Sequence, residues 1–184
     1  MPPGDAAGVG DLLVATPRLI DPNFTAAVVL VCALDDGGGL GLVLDRPTPE
    51  PVVRHLPAWE GHLATPAMVF VGGPVQPETA VGLVRTEEGF DHPGLTPVAA
   101  GVGLFDLDAG PVDGVTAARV FSGYTGWGPG QLEAEVEAGD WFVVALEGGD
   151  PLTADPTGLR ERVLRRQGPP LALYAGYPPD PALN

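Results

Sequence analysis

Arg46 ends the run Gly41-Leu42-Val43-Leu44-Asp45-Arg46-Pro47, and a guanidinium placed after so apolar a segment must emerge near solvent or a partner. Asp45 or Glu133 could serve as a general base there, with Arg46 holding a small anionic substrate. A second combination is Gly123-Tyr124-Thr125-Gly126-Trp127, which leads through Gly128, Pro129 and Gly130 into Gln131-Leu132-Glu133. Turn glycines, aromatic rings and isolated polar groups suit a ligand pocket. Gly73, in Gly72-Gly73-Pro74-Val75, adds a further turn. These residues predict a binding cleft near Arg46, Gly73, Tyr124, Trp127, Gln131 and Glu133.

Other chemistries are closed by counting. All nine basic residues are Arg, so no lysine is present to form a Schiff base, hold a nucleotide phosphate or act as a base. Ser122 is the only serine, and Phe121-Ser122-Gly123 is not the G-x-S-x-G elbow of a serine hydrolase. Cys32, the only cysteine, lies in an apolar run that makes it a core thiol and leaves it no disulfide partner within the chain. His55, His62 and His92 lack the spacing of a zinc site, so neither a metal nor another cofactor is expected. Gly37 to Gly41 reads as a hairpin turn rather than a phosphate loop. The loop 123–130 enters a helix start that could hold an anion, but the acids Glu133 and Glu135 would repel a phosphate there. Glu133, Glu135 and Glu137 read as a solvated face, and Arg160, Arg162, Arg165 and Arg166 as partners for the chain's own acids.

The elements that must position these groups follow from pattern. Apolar segments 12–15, 24–34, 40–44, 68–71, 80–85, 98–105, 115–121, 141–146 and 171–175, bounded by Gly, Pro or Asp, predict strands. The second and third are separated only by turn residues, which predicts an antiparallel pair, and their continuous hydrophobicity predicts burial on both faces. Helices are expected over 48–59, capped by Thr48, over 130–138 and over 155–167, where Arg165 and Arg166 complement the last turn. The expectation is one α+β domain over residues 1–184, with a mostly antiparallel or mixed sheet, a few short helices, a core over about 10–176 and tails at 1–9 and 177–184.

A net charge of -15 opposes direct contact with nucleic acid and with anionic membrane surfaces, since both bind through cations. The 45% apolar content excludes an acidic disordered chain, and the N-terminus does not read as a signal peptide. A cytoplasmic location is the default expectation.

Five motifs in order resemble the YqgE/AlgH family of bacterial proteins: 10–17 (Gly10-Asp11-Leu12-Leu13-Val14-Ala15-Thr16-Pro17), 21–24 (Asp21-Pro22-Asn23-Phe24), 41–47, 72–75, and 123–127 with 130–133. The resemblance runs from about Gly10 to Trp141, with a compatible tail at Pro178-Pro179-Asp180-Pro181. It implies one α+β domain in bacterial cytosol, a biochemical activity that is not established, and the label of transcriptional regulator. It transfers no catalytic residues. Where members commonly carry Asn before the Arg-Pro pair, this chain has Asp45. The leading expectation is a non-catalytic binding or regulatory module with a protein or small-molecule partner. The alternatives are a carboxylate-dependent enzyme on a small anionic substrate, and a transcriptional regulator acting indirectly.

Overall fold

The computed structural model describes residues 6–178. Ten strands are formed: β1 Leu12–Ala15, β2 Val28–Asp35, β3 Gly38–Val43, β4 Pro47–Pro51, β5 Met68–Val71, β6 Val75–Thr86, β7 Leu95–Ala99, β8 Val102–Phe105, β9 Val115–Trp127 and β10 Trp141–Val144. Two α-helices, α1 Gln131–Ala138 and α2 Leu159–Arg166, and short 3-10 turns complete the single α+β domain. The sheet runs β10-β1-β2-β3-β9-β6-β8-β7, antiparallel throughout, and a side branch of β4 and β5 joins β9 through a parallel pairing.

Pleating sorts side chains to opposite faces, and three cores result. On one face of β1–β3 lie Leu12, Val14, Val28, Leu30, Leu42 and Leu44, which share a cluster with Phe70, Leu83 and Phe121 and with Leu159, Val163 and Leu164 of α2. The opposite face, with Leu13, Val29, Val31 and Val43, is covered by Trp127, Trp141 and Leu132 of α1. Behind β6, β8 and β9, Val52, Trp59 and Leu107 close a third cluster. The continuous hydrophobicity of β2 follows from this double coverage, since Val28 to Cys32 are all buried.

Several sequence expectations need correction. Residues 47–51 are a strand rather than the start of a helix, because Pro47, Pro49 and Pro51 hold extended backbone at an edge where missing amides do no harm. Only 3-10 turns follow, at Val52–Arg54 and Pro57–His62. The stretch 98–105 is two strands joined by a tight turn at 100–101. β9 continues through 123–127, so most of the expected glycine loop is strand. Residues Leu171–Gly176 form a 3-10 turn instead of a final strand. There Leu171, Tyr174 and Ala175, at helical spacing, pack on the first core while Leu173 stays 71% exposed. Helix α2 begins at Leu159, after Asp155 Oδ1 has accepted the Gly158 amide at 3.1 Å. Of the tails predicted at 1–9 and 177–184, residues 1–5 and 179–184 lie outside the described residues.

Candidate functional site

Three motif segments meet where β3, β5 and β9 join. The Gly72 amide donates to the Ser122 carbonyl at 3.0 Å, and the Gly72 carbonyl accepts from the Val43 amide at 2.9 Å. The Thr125 hydroxyl donates to the same carbonyl at 3.3 Å. Gly72 is thus a one-residue wedge between β3 and β9, just beyond the pairs Gly39 to Gly41 with Trp127 to Thr125. Backbones cross here too closely for side chains: a Cβ on Gly123 would stand 2.7 Å from the Gly73 carbonyl oxygen and 2.8 Å from that of Val75. Gly123 also holds φ at 69°, a conformation that favours glycine. The half-buried Tyr124 packs at the edge of the first core.

Trp127 is buried over Gly41, where a Cβ would sit 2.9 Å from the indole ring. Its Nε1 donates to Glu135 Oε2 at 3.0 Å, and Trp141 Nε1 donates to the same oxygen at 2.9 Å. Gln131 Nε2 donates to Glu135 Oε1 at 2.8 Å, while Gln131 Oε1 accepts the Gly128 amide at 2.9 Å. Glu135 therefore ties α1 to both indoles and is not part of an acidic face. Glu133 is exposed in the first turn of α1.

Arg46 and Asp45 sit at the other end of β3. Asp45 lies six residues beyond Gly39, the partner of Trp127, about 20 Å along an extended chain. The Arg46 carbonyl accepts the Val71 amide at 2.9 Å, two residues before Gly73, and Gly73 packs on the Tyr124 backbone. Arg46, Gly73 and Tyr124 are thus linked through the main chain, while Trp127 and Gln131 meet on Glu135 and Glu133 is exposed on α1.

The Arg46 guanidinium donates to the carbonyls of Pro22, Asn23 and Thr25. Those carbonyls belong to a turn opened by Asp21, whose carboxylate accepts the Asn23 amide at 2.8 Å. Phe24 anchors the turn edge-on against Trp141 at 5.9 Å, and Ala26 closes it at φ 58°. Asp45 accepts the Val28 amide at 3.3 Å. Burial pushes its carboxyl up to about 6, against the lowering effects of the Val28 amide and the charges of Arg46 and Arg160. Arg160 reaches the region from α2 and donates through Nη1 to the Tyr174 carbonyl at 3.3 Å. Its buried Nε has no partner among the described residues. Desolvation lowers the Arg160 pKa and Asp45 opposes that change. A perturbed carboxylate, an unsatisfied guanidinium N–H and a strained alanine turn thus converge on one seam. The sequence had grouped Arg160 with the other helix arginines, and only the docking of α2 brings its charge to bear on Asp45.

The candidate nucleophiles are occupied or buried. Ser122 donates its hydroxyl to the Pro77 carbonyl. Burial pushes the Cys32 thiol up to about 12. His55 contacts Glu50 at 3.0 Å, and His92 stacks on Phe90 and donates or accepts nothing beyond the Gly94 amide contact at 3.0 Å among the described side-chain bonds.

Sequence reasoning also passed over Arg119, which is 1% exposed on β9. Its guanidinium lies 4.3 Å from the centre of the Phe70 ring and donates to the Thr65 carbonyl at 2.7 Å. Nε and Nη1 have no partner among the described residues, and burial lowers its pKa to about 10. No periodicity marks it, because one Arg in the run Ala117-Ala118-Arg119-Val120-Phe121 falls on an inward face of the strand.

Comparison with known proteins agrees with this architecture. The chain is 47% identical over 182 residues to a UPF0301 protein of Streptomyces coelicolor, covering 95% of this chain and 94% of the relative. It is 41% identical over 189 residues to a UPF0301 protein of Mycobacteroides abscessus, covering 100% and 91%. The fold matches a crystal structure of a Corynebacterium diphtheriae protein with a TM-score of 0.88 at 29% identity, over 95% of this chain and 94% of that one. It also matches the solution structure of the AlgH protein from Pseudomonas aeruginosa with a TM-score of 0.67 at 23% identity, covering 92% and 93%, a likeness of fold alone. The family model described as AlgH-like (DUF179) matches residues 12–172, and the chain belongs to that family.

Proposed function

We propose that this chain is a non-catalytic binding or regulatory module of the cytoplasm, acting on a protein or small-molecule partner. One observation carries the reading: the motif side chains capable of chemistry are committed to the fold. Arg46 holds the carbonyls of Pro22, Asn23 and Thr25, Gln131 and Trp127 are bound to Glu135, and Ser122 is bound to Pro77. A regulatory effect on transcription would pass through a protein partner, because a charge of -15 repels the duplex. Native mass spectrometry of protein gently purified from its own host tests the reading. A retained small molecule or a stoichiometric protein supports it. A bare chain that turns over members of a panel of small anionic substrates, with turnover abolished in Asp45→Asn, overturns it.

The second reading, a carboxylate-dependent enzyme on a small anionic substrate, is favoured by Asp45 alone. A carboxyl held near 6 beside Arg160 suits proton transfer near neutral pH. Glu133, the other carboxylate of that reading, is exposed in the first turn of α1.

A further inference from the structure

Strand β6 is longer than β8, its neighbour on one flank. It runs from Val75 to Thr86, and β9 pairs with it at Val75 and again from Ala80 onward. On its other flank β8 pairs only with Gly82 to Arg85, because β8 ends at Phe105, opposite Gly82. The chain then leaves the sheet through a 3-10 turn at Leu107–Ala109. At Ala80 and Val81 the second flank of β6 has no strand beside it. In an antiparallel strand successive residues turn their N–H and C=O pairs to alternate neighbours, so one of these two residues presents both groups to the gap.

The gap is shaped as well as unpaired. A groove of about 430 Å³ opens there, a volume within the usual range for ligand sites. Its walls include Leu56 and Leu107, which belong with the core behind the sheet, and Val81 and Leu104, which pack on the opposite core. Lining drawn from both faces marks the end of a missing strand rather than a pit in one face. The exposed carboxylates of Asp106 and Asp108 also line it, and Glu78 is exposed on the same strand. No basic residue lines the groove.

We propose that this flank of β6 takes an extended cationic peptide segment of a partner protein as an added strand. Backbone hydrogen bonds to β6 supply the affinity, an apolar side chain enters between Leu56 and Leu107, and an Arg or Lys faces Asp106 and Asp108. The inference rests on the binding-module reading and names the class of partner.

The probe is a synthetic hexapeptide library alternating Arg with apolar residues, titrated against the isotope-labelled full chain and followed by amide chemical shifts. Expected are shifts at Ala80, Val81, Leu104 and Leu107, their loss when the best peptide is N-methylated at alternate residues, and about tenfold weaker binding to Asp106→Asn with Asp108→Asn. Equal binding of the N-methylated peptide, shifts confined to other acidic surfaces, or no binder in the library would overturn the proposal. A natural partner retained in native mass spectrometry and still bound by the double variant would overturn this site while leaving the binding-module reading intact.

Discussion

Asp45→Asn removes a charge that the fold tolerates poorly, and it should make the protein more stable at neutral pH. Burial raises the Asp45 carboxyl from 3.8 to about 6, despite the lowering effects of the Val28 amide and the two nearby arginines. A raised carboxyl binds its proton more tightly in the folded chain than in the unfolded one. Its contribution is therefore fully present below about pH 4 and is lost as pH rises through about 6. Each unit of pKa is worth about 1.4 kcal/mol, so the loss is about 3 kcal/mol at most. Asn keeps an oxygen that can accept the Val28 amide and never ionises. Urea unfolding of both proteins from acid to neutral pH measures the effect, and the difference between the curves cancels the other carboxylates of this acidic chain. The two should agree near pH 4 and diverge by about 2–3 kcal/mol above pH 7, with Asn the more stable. Parallel curves across the whole range would refute the reasoning and leave Asp45 an ordinary solvated acid.

Arg119→Met should raise the unfolding free energy by about 1–2 kcal/mol, because a buried guanidinium with two unsatisfied nitrogens gives way to an apolar chain of similar length. A loss in urea denaturation would show that the contacts to Thr65 and Phe70 outweigh desolvation. Glu135→Gln turns an amide N–H2 toward either the indole donors or Gln131, which should cost about 1–3 kcal/mol and shift the tryptophan emission. An unchanged spectrum and midpoint would remove Glu135 as the tie between α1 and the two indoles. Cys32, buried and with its thiol pushed up to about 12, should react with a thiol reagent only as fast as the protein opens. Rapid labelling of the native chain at pH 8 would contradict that burial.

Much of the sheet was legible in the residues themselves. The runs 12–15 and 68–71 became strands at those positions, and the apolar stretches either side of the Asp/Gly turn paired antiparallel, because β-branched segments closed by turn residues have few other ways to bury both faces. Helix α1 was recoverable from its strong helix formers and from Gly139, which takes the left-handed conformation at its end. Local pattern misread residues 47–51 and 171–175, where a proline-spaced edge and a short turn packed on the core have no distinctive period. The purpose of the motifs was less accessible. Spacing along the chain could suggest a cleft from Arg46, Gly73, Tyr124, Trp127 and Gln131, but it could not show that Arg46 closes the turn at 22–25 or that Gln131 and Trp127 meet on Glu135. The Arg46 bonds join segments more than twenty residues apart, and Glu135 gathers indoles from β9 and β10 only once those strands are in place, so no linear pattern records either arrangement. The influence of the Arg160 charge on Asp45, the burial of Arg119 and the bare flank of β6 arise in the same way, from which strand ends where and which helix lies across it.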